Sequence, residues 1–546
     1  MTRTGPRHAR QKRPHPWRRR ALWSLLVVGV VCLLLVGAVG IYFWHLNSEI
    51  RRVTIKRLQS TPTAGLDKGT ENILMVGNTS RCALKVQSPS FGLCSQGITG
   101  VNSDVVMILH LNPATHAVSV ISIPRDLFIP NARSDGANKI DAALSEGPSQ
   151  LVDAVQEDFG IPIQHYVELN FDSFAGVVDA LGGVKMYFPE PVYDQETGLN
   201  IQVPGCVHLD GFQALALVRA RHLQYKPPGV TTTDPAYWPQ DPESDLSRIR
   251  RDHEFLRVLA TAVAAKGLGN PFTDRSVLDA VAPQLHVDSR FSIGDMLSLV
   301  LGFHAVDINT APQLTIPVMV DQSLDYYYQG YDYGNIELPI EPLDQQVIDQ
   351  ALGETAGTNT FTGQPLPAPS DVTVSVVNAT GSANQAFYTG QQLHELGFQV
   401  TGVGDAPSPA TESETIVYYA KRTPTDLAAA QVVAHQLSGA VVMALGPTID
   451  GAEVTVQTGS DYAVNSAAPA PTTTTTAAKK HHGATTTTTA APSTTGNSGA
   501  GGSAPSGVTT TTTALVADGF APPTAANPAL AQFDPRSCTP AGGEGT

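Results

Sequence analysis

Several charged side chains stand where predicted strands and helices end, and their types and spacing suit the binding of an anion. Arg125 and Asp126 directly follow a predicted strand and a proline, whose ring makes the exit of the strand rigid. Arg219 and Arg221 follow an apolar, helix-like stretch, and in an extended segment residues i and i+2 point to one side. Two guanidinium groups on one side repel each other unless an anion lies between them. These positions therefore predict an anion site.

Three further arginines and one aspartate belong to the same candidate set. Arg81 follows the first predicted strand after a short turn, and Asp104 opens the second strand. Arg248 and Arg251, three residues apart on a predicted helix, share one face. Ligands of open α/β sheets collect at strand ends, which favours a functional interpretation. The alternative is that each arginine alone is a surface salt-bridge partner and that Asp104 is a turn residue at a strand entry.

The charge balance excludes one class of function. The chain has a net charge of −15, and its first 20 residues carry eight Lys or Arg and no acid, so the remainder carries −23. An acidic surface of this kind argues against general nucleic-acid binding. It still permits phosphate binding wherever a few arginines converge, so the positions of the arginines matter more than their number.

The first 44 residues predict a membrane anchor. A basic segment, 1–20, precedes an uncharged and mostly apolar run, 21–44, that is long enough to cross a bilayer as a helix. The positive charge before the run keeps the N-terminus in the cytoplasm and places the bulk of the chain outside the cell membrane. A cleaved signal peptide is the alternative, but the aromatic end of the run, Tyr42 to Trp44, favours a single-pass anchor.

The rest of the chain divides into five segments by composition and hydrophobic pattern. They are a stalk at 45–70, a first α/β domain at 71–317, an irregular segment and linker at 318–370, a small α/β domain at 371–459, and a Thr/Ala/Gly/Pro-rich tail at 460–546. Continuous apolar strands with helices between them predict a layered α/β domain whose sheet is buried on both faces. The tail offers too little apolar area to offset its ordering entropy and is predicted to be disordered.

The cysteines predict an oxidising compartment. Cys82 and Cys94 flank a short insert that contains Ser, Gly and Pro, and this arrangement favours a loop-closing disulfide between them. Cys206 and Cys538 remain, and pairing of Cys206 with Cys538, or with one of the first two, stays open. The sequence contains no CxxC, no HExxH and no Walker-type glycine loop.

Seven short stretches follow one another in a specific order between residues 70 and 265. They are Asn72–Gly77 with Arg81, Asn102–Met107, Ser122–Asp126, Asn138–Ala143, Asn170–Val184, Leu209–Arg221 and Asp245–Arg251. Together they resemble the LytR–CpsA–Psr (LCP) family of bacterial cell-envelope enzymes. Residues 374–419 look like the small LytR C-terminal domain found on many actinobacterial members, and the basic N-terminus with a single anchor also fits the family.

This resemblance implies an α/β/α domain with a mixed central sheet and a phosphotransferase activity. Such enzymes move a glycopolymer from a polyprenyl-pyrophosphate carrier onto peptidoglycan at the membrane, usually with Mg²⁺ (or Mn²⁺), and a pyrophosphatase side activity is possible. The resemblance gives Arg125, Asp126, Arg219 and Arg221 catalytic roles. It gives Arg81, Arg125, Arg219, Arg221, Arg248 and Arg251 the binding of the pyrophosphate, and Asp104 the binding of the metal. No nucleic acid is expected as a partner.

Two positions depart from the pattern of the family. Thr79 stands where an aspartate, the second metal ligand, is usual, and Asp252 stands where a glutamine follows the last arginine. A threonine hydroxyl is a weak neutral ligand, so a metal would depend on Asp104 and substrate phosphates, with an acid such as Asp126 as a possible helper.

The apolar helices around 151–181 contain Phe159, Phe171 and Phe174, which could line a groove for a lipid tail. Ordinary packing against the sheet is the alternative interpretation of these rings.

Two other functions compete with the transferase. A non-catalytic envelope protein that binds lipid carriers or cell wall is favoured by Thr79. A membrane-bound transcriptional regulator is disfavoured, because only the short basic segment at 1–20 would face DNA and it contains no helix-turn-helix.

Overall fold

The chain is described by a computed structural model in the following parts. They are residues 37–63, 68–82, 93–97, 99–265, 279, 281–303, 306, 308–323, 325–355, 357–407, 413–465 and 520–538. The predicted membrane span at 21–44 lies mostly outside these parts. Within them, no helix combines the length and the apolar character that crossing a membrane requires.

A seven-stranded mixed sheet forms the centre of the first domain. Its strands, numbered along the chain, are β1 Arg51–Val53, β2 Glu71–Asn78, β3 Ser103–Asn112, β4 Ala117–Ile123, β5 His165–Leu169, β6 His286–Asp288 and β7 Gln313–Thr315. The spatial order is β1-β6-β5-β2-β3-β4-β7. The pairs β2–β3, β3–β4 and β5–β6 are antiparallel, and the pairs β1–β6, β2–β5 and β4–β7 are parallel. The predicted mixed α/β fold is therefore confirmed.

Helices cover both faces of this sheet. The α-helices of the first domain and the segment after it are α1 at 37–49, α2 Pro148–Asp158, α3 Phe171–Ala180, α4 Gly211–Arg219, α5 Ser244–Ala265, α6 Ile293–Phe303 and α7 Leu343–Leu352. Two more, α8 Gln385–Glu395 and α9 Pro424–Ala434, belong to the second domain. On one face, Leu74 and Ile108 pack against α2 and α7. On the other face, Ile73 and Leu111 pack with residues of α1 and α6. Alternate residues of β2 serve the two cores, as the two-residue period of a strand requires.

Shorter elements complete the first domain. Its other strands are Phe128–Arg133, Gly136–Lys139, Val184–Phe188, Val192–Asp194, Leu199–Ile201, Gly205–Leu209, Gln224–Tyr225, Val318–Val320, Tyr327–Tyr328, Tyr331–Asp332 and Glu337–Pro339. The 3₁₀ helices of the described chain are Cys94–Gln96, Ile140–Glu146, Pro235–Tyr237, Ala282–Gln284, Ile308–Thr310 and Pro369–Asp371. Helices α3, α4 and α5 share a separate core with the strand Val184–Phe188.

The second domain contains a five-stranded sheet flanked by α8 and α9. In spatial order its strands are Gln399–Asp405, Thr373–Asn378, Val454–Thr458, Thr415–Tyr419 and Val441–Leu445. A separate two-stranded antiparallel sheet pairs Leu437–Gly439 with Tyr462–Val464. The sheet packs on the first domain: the Tyr419 hydroxyl donates to the Glu157 carbonyl at 3.2 Å, and Ile416 and Val442 join the core beneath α2.

Three predicted segments are wrong in part. Residues 45–70 are not only a stalk, because β1 adds an edge strand to the central sheet. Residues 318–370 are not irregular throughout, because α7 buries Val347 and Ile348 on the sheet. The tail prediction fails at 520–538, which pack on the first domain, and Arg536–Ser537 form a further strand there.

Candidate functional site

The register of the central sheet brings Asp104 and Arg125 together. In the antiparallel pair β3–β4, Val106 lies opposite Ile123, so the residues two positions beyond, 104 and 125, also face each other. The Arg125 Nη1 atom forms an ion pair with Asp104 Oδ1. The two strand ends thus place one acid and one base at the same edge of the sheet.

Arg125 is the most heavily paired cation of the site. Its Nε atom lies 3.3 Å from Asp126 Oδ2 and 4.0 Å from Asp245 Oδ1. Burial of the guanidinium acts to lower its pKa, but the carboxylates around it, Asp104 first, outweigh burial and raise the pKa above its usual value. Arg125 is therefore a fixed positive charge.

Asp126 joins two further cations to this pair. Its Oδ1 accepts a hydrogen bond from Lys139 Nζ at 3.0 Å, and its Oδ2 lies 3.2 Å from Arg221 Nη2. With Arg125 as its third partner, the Asp126 carboxylate acts as a bridge between cations. This environment leaves it poorly suited to the helper role in metal binding that the sequence left open.

Asp245, which the sequence quotes in a motif without giving it a role, is the common partner of the arginines. Its Oδ1 lies 3.0 Å from Arg221 Nε and 3.0 Å from Arg248 Nε, while its Oδ2 accepts from Arg248 Nη2 at 3.0 Å. Burial acts to raise the pKa of Asp245, but Arg248 and Arg221 outweigh it and hold the pKa below its ordinary value. The only sequence signal is its position three residues before Arg248 in the first turn of α5.

Arg248 is held on all sides. Its side chain is only 3% exposed; its Nη2 donates to the Asp104 carbonyl at 2.8 Å, and its Nη1 lies 3.2 Å from Asp252 Oδ2. Arg248 thereby ties α5 to the start of β3. The predicted membership of Arg248 in the cluster agrees with this placement.

Arg219 differs from the other arginines because an aromatic ring faces it. Its guanidinium carbon lies 4.3 Å from the centre of the Phe171 ring, a cation–π contact. Burial is the main cause that lowers the pKa of Arg219, to about 10, and the side chain still carries its charge at neutral pH. Arg81 contributes to the same lowering of the pKa, so its positive charge acts on the same part of the site.

Arg251 does not join the cluster, although it lies one helical turn after Arg248. Its side chain is 0% exposed and pairs with Asp241 Oδ2 at 2.6 Å, while its Nη2 donates to the Ala220 carbonyl at 2.6 Å. Arg251 is therefore not among the arginines that the structure brings together around Asp245, and its predicted contact with substrate stays a prediction. Arg251 instead holds the backbone between Arg219 and Arg221.

The two departures from the family pattern have different surroundings. The Thr79 hydroxyl accepts the Asn102 amide at 3.0 Å and links the end of β2 to the segment before β3. Burial raises the pKa of Asp252 to about 7, partly offset by Arg248 and Arg251. The buried Oδ1 atom of Asp252 has no hydrogen-bond partner within the described chain.

An apolar cavity of about 190 Å³ opens beside these charges. It lies between β2, β3 and β5 of the sheet and helices α3, α4 and α5. Phe171, Phe174, Leu215 and Phe255 are among its apolar lining residues. Its polar lining residues are Asn78, Asp104, Asn170, Arg219, Arg248 and Asp252. Phe159 is not part of it and packs in the core beneath α2 instead.

The described part of the chain contains two disulfides. Cys82 pairs with Cys94, the pairing that the sequence favours, and Cys206 pairs with Cys538, one of the pairings that it leaves open.

Comparison with known proteins identifies the family. A model of the LytR_cpsA_psr family matches residues 45–338, more than half of the chain. The chain belongs to the LytR–CpsA–Psr family. A second model, described as LytR cell envelope-related transcriptional attenuator, matches residues 371–462. The predicted family resemblance is thus confirmed, and the two matched regions are called the LCP domain and the LytR C-terminal domain below.

Individual relatives agree with this assignment. The chain is 30% identical over 316 residues to the probable cell wall biosynthesis protein LcpB of Corynebacterium glutamicum, covering 57% of this chain and 67% of that protein. It is 28% identical over 232 residues to a polyisoprenyl-teichoic acid–peptidoglycan teichoic acid transferase TagU of Bacillus anthracis, covering 42% and 68%. A solved LytR-Csp2A-Psr enzyme from Actinomyces oris aligns with a TM-score of 0.42 at 24% identity, covering 55% of this chain and 96% of that one.

The titration of Asp252 gives a prediction for stability. The pKa of about 7 in the folded LCP domain exceeds the ordinary value near 4, so the folded state holds this proton over a pH range in which the unfolded chain releases it. Stability from this group therefore falls as pH rises from about 4 to about 7, by at most about 1.4 kcal/mol per pH unit. The stability of the wild type relative to Asp252→Asn is therefore expected to fall as pH rises across this range. The measurement is the free energy of unfolding by denaturant in magnesium-free buffer.

Asp135→Asn, on a side chain that is 73% exposed, is the matched control and should follow the wild type at every pH. If the free energies of unfolding of wild type and Asp252→Asn changed in parallel with pH, the raised pKa of Asp252 would be contradicted.

Proposed function

We propose that this chain is a phosphotransferase that attaches a glycopolymer from a polyprenyl-pyrophosphate carrier to peptidoglycan. The observation that carries the proposal is an apolar cavity with Arg219 and Arg248 among its lining residues. A polyprenyl pyrophosphate has these two parts, a long apolar chain and a compact anionic head. An apolar pocket with a few polar groups is also the usual form of a ligand site.

The charges around the cavity suit a diphosphate. The cations Arg125, Lys139, Arg221 and Arg248 meet the carboxylates Asp104, Asp126, Asp245 and Asp252 in one contact network. Arg219 lies close enough to Asp104 and Arg248 for their charges to act on its pKa. Planar guanidinium groups bind phosphate oxygens through paired N–H donors, so a diphosphate can take over contacts now made by carboxylates.

The reaction follows from this placement. The oxygen of an acceptor hydroxyl bonds to the phosphorus that carries the sugar, and the bridging P–O bond breaks. Polyprenyl phosphate leaves with the added negative charge, while the hydroxyl proton passes to water. Arg125, Arg219 and Arg221 stabilise the charge that develops on the phosphate oxygens, and the cavity fixes the lipid end. Catalysis then consists of positioning and charge neutralisation.

The proposed cofactor is Mg²⁺ (or Mn²⁺), and the donor set fits it. Asp104 and Asp252 line the same cavity, and the buried Oδ1 of Asp252 lacks a hydrogen-bond partner within the described chain. Mg²⁺ is commonly bound by one or two carboxylates together with substrate phosphates and water. Asp104 and Asp252 would hold it, with Asp252 in place of the acid that Thr79 replaces. When bound, the ion would neutralise part of the negative charge of the diphosphate.

The proposed location is the outer side of the cell membrane, with residues 1–20 in the cytoplasm and a single span at 21–44. The disulfides Cys82–Cys94 and Cys206–Cys538 support an oxidising compartment, because the cytosol keeps most cysteines reduced. The charge bias around the apolar run gives the orientation.

Arg219→Ala tests the transferase. Loss of one preorganised cation is expected to lower the release of polyprenyl phosphate from a lipid-linked sugar by roughly 10²–10³-fold. The assay uses purified protein with Mg²⁺ and peptidoglycan as acceptor. Arg133→Ala, which removes a surface ion pair with Asp135 and Glu146, is the matched control and should retain activity. Carrier binding without turnover in the wild type would instead support the non-catalytic binder.

Asp252→Asn tests the metal site. With one proposed ligand neutralised, the Mg²⁺ concentration for half-maximal turnover is expected to rise about tenfold or more. Substitutions around metal sites commonly lower metal affinity by at least this factor. Turnover is measured against Mg²⁺ after removal of metal by chelation. An unchanged Mg²⁺ dependence would leave Asp104 as the only carboxylate ligand.

A reporter fused after residue 60 tests the topology. A reporter that is active only after export should be active, and one that is active only in the cytoplasm should be silent. The reverse result would refute the outer location and restore the regulator as a candidate.

A further inference from the structure

Residues 520–538, here called the C-terminal strap, run along the LCP domain. At one end, the amides of Ala521 and Thr524 donate to the carbonyls of Val320 and Val318, at 2.9 and 3.0 Å. At the other end, Arg536 and Ser537 pair with the strand Val184–Phe188. The Cys206–Cys538 disulfide then fixes the strap covalently. The strap is thus attached to the LCP domain at both of its ends.

The strap packs on the same core that forms the wall of the lipid cavity. The Phe533 ring stacks on Tyr225, with ring centres 4.0 Å apart and 12° between the planes. Phe533 also contacts the cluster that contains Phe171, Leu215 and Phe255, three lining residues of the cavity. At Phe533 the strap therefore packs on the core that helices α3, α4 and α5 share.

Next to Phe533, Asp534 is 0% exposed and enters a network of arginines. Its Oδ2 accepts from Arg250 Nε at 2.7 Å and from the Ala531 amide at 2.8 Å. Its Oδ1 lies 3.5 Å from Arg251 Nη1. A buried guanidinium needs carboxylate partners to offset the loss of water, and the Asp534 carboxylate is shared between Arg250, through Oδ2, and Arg251, through Oδ1.

Arg251 carries this contact to the site. Its Nη2 atom donates to the Ala220 carbonyl at 2.6 Å, and Ala220 is the residue between Arg219 and Arg221. Ala220 ends α4 in an extended conformation, φ −66° and ψ 110°, and its amide donates to the Leu217 carbonyl at 3.1 Å. At this point the chain directs Arg219 to Phe171 and the cavity, and Arg221 to Asp126 and Asp245. Fixing the Ala220 carbonyl therefore fixes the backbone from which the side chains of Arg219 and Arg221 extend.

We propose that Asp534 is a positioning residue of the active site, acting through Arg251 on the segment from Arg219 to Arg221. The inference rests on the proposed transferase function for its kinetic consequence, but its structural consequence is independent of that function. The strap is then part of the catalytic unit, although it follows the LCP domain by almost 200 residues in the sequence.

Asp534→Asn in the full chain is the test. A shift of Arg219 and Arg221 by a fraction of an ångström is expected to lower kcat about tenfold, since misplacement by 1 Å can cost about 10²-fold. The KM for the lipid carrier should change less than about twofold, because the cavity that holds the lipid is intact. Asp534→Glu, which keeps the carboxylate, should recover part of kcat.

The matched control is Glu243→Gln. Glu243 pairs with Arg250 Nη1 at 2.6 Å and accepts from Ser247, and its side chain is 54% exposed. This change removes one charge from the outer side of the same network, so kcat should stay at the wild-type value. A tenfold loss in this control as well would assign the effect to network charge in general and overturn the specific role of Asp534.

Hydrogen exchange separates this inference from the proposed function. The Ala220 amide should exchange faster in Asp534→Asn than in the wild type, whether or not the wild type turns over substrate. If the wild type is inactive, the transferase proposal fails while the exchange result still decides the role of Asp534. Wild-type exchange at Ala220 together with wild-type kcat would overturn the inference.

Arg251→Lys provides a second route if Asp534→Asn does not fold. Lysine keeps the charge but lacks the fork that joins Asp241 to the Ala220 carbonyl, so the same loss of kcat and faster exchange are expected. When both single variants fold, their double variant should lose no more than the more severe one, because both act through one contact chain. Unchanged kcat and exchange in Arg251→Lys, or additive losses in the double variant, would overturn the inference.

Discussion

A single buried carboxylate, Asp245, makes the arginine cluster possible. Its Oδ1 lies 3.0 Å from Arg221 and from Arg248 and 4.0 Å from Arg125. Guanidinium groups brought this close repel one another strongly in a site with little water, and an anion between them offsets that repulsion. The three arginines come from three separate parts of the chain, and Asp245 is the one carboxylate in the described chain that pairs with all three, while Asp126 adds a second link between Arg125 and Arg221.

The same constraint explains why the site suits a doubly charged ligand. Each cation is already oriented by a carboxylate, so little conformational freedom is lost when phosphate oxygens replace some of these contacts. In the proposed complex, oxygens of the diphosphate would take over some of the contacts that Asp104, Asp126 and Asp245 make with these cations. Arg219 differs, because Phe171 orients its guanidinium from the side of the cavity where the lipid chain is proposed to bind. The charged and apolar halves of the site thus meet at this residue.

Much of this arrangement is predictable from the sequence. Strand-end logic and the two-residue spacing placed Arg125, Arg219 and Arg221 together, because hydrophobic runs define where strands and helices stop. Asp104 and Asp126, which pair with these arginines, are also predicted as site residues, whereas the roles of Asp245 and Asp252 are not, because they depend on how α5 crosses the sheet. Helical spacing likewise predicts a shared face for Arg248 and Arg251, but it does not give the direction of a long side chain, and the two arginines have different partners. The average composition of the tail predicts disorder, but an average does not reveal a short segment with Phe533, Asp534 and Cys538, whose side chains contact the LCP domain.

The position of the strap in the sequence has a consequence for biosynthesis. Asp534 follows Arg250 by 284 residues, and the cysteines of the second disulfide are separated by 332. During translation, all the arginines of the cluster exist long before the acid that completes their supporting network. A chain that ends before residue 534 therefore leaves Arg250 and Arg251 without that acid. The network around Arg250 and Arg251 is therefore complete only after Asp534 has been synthesised.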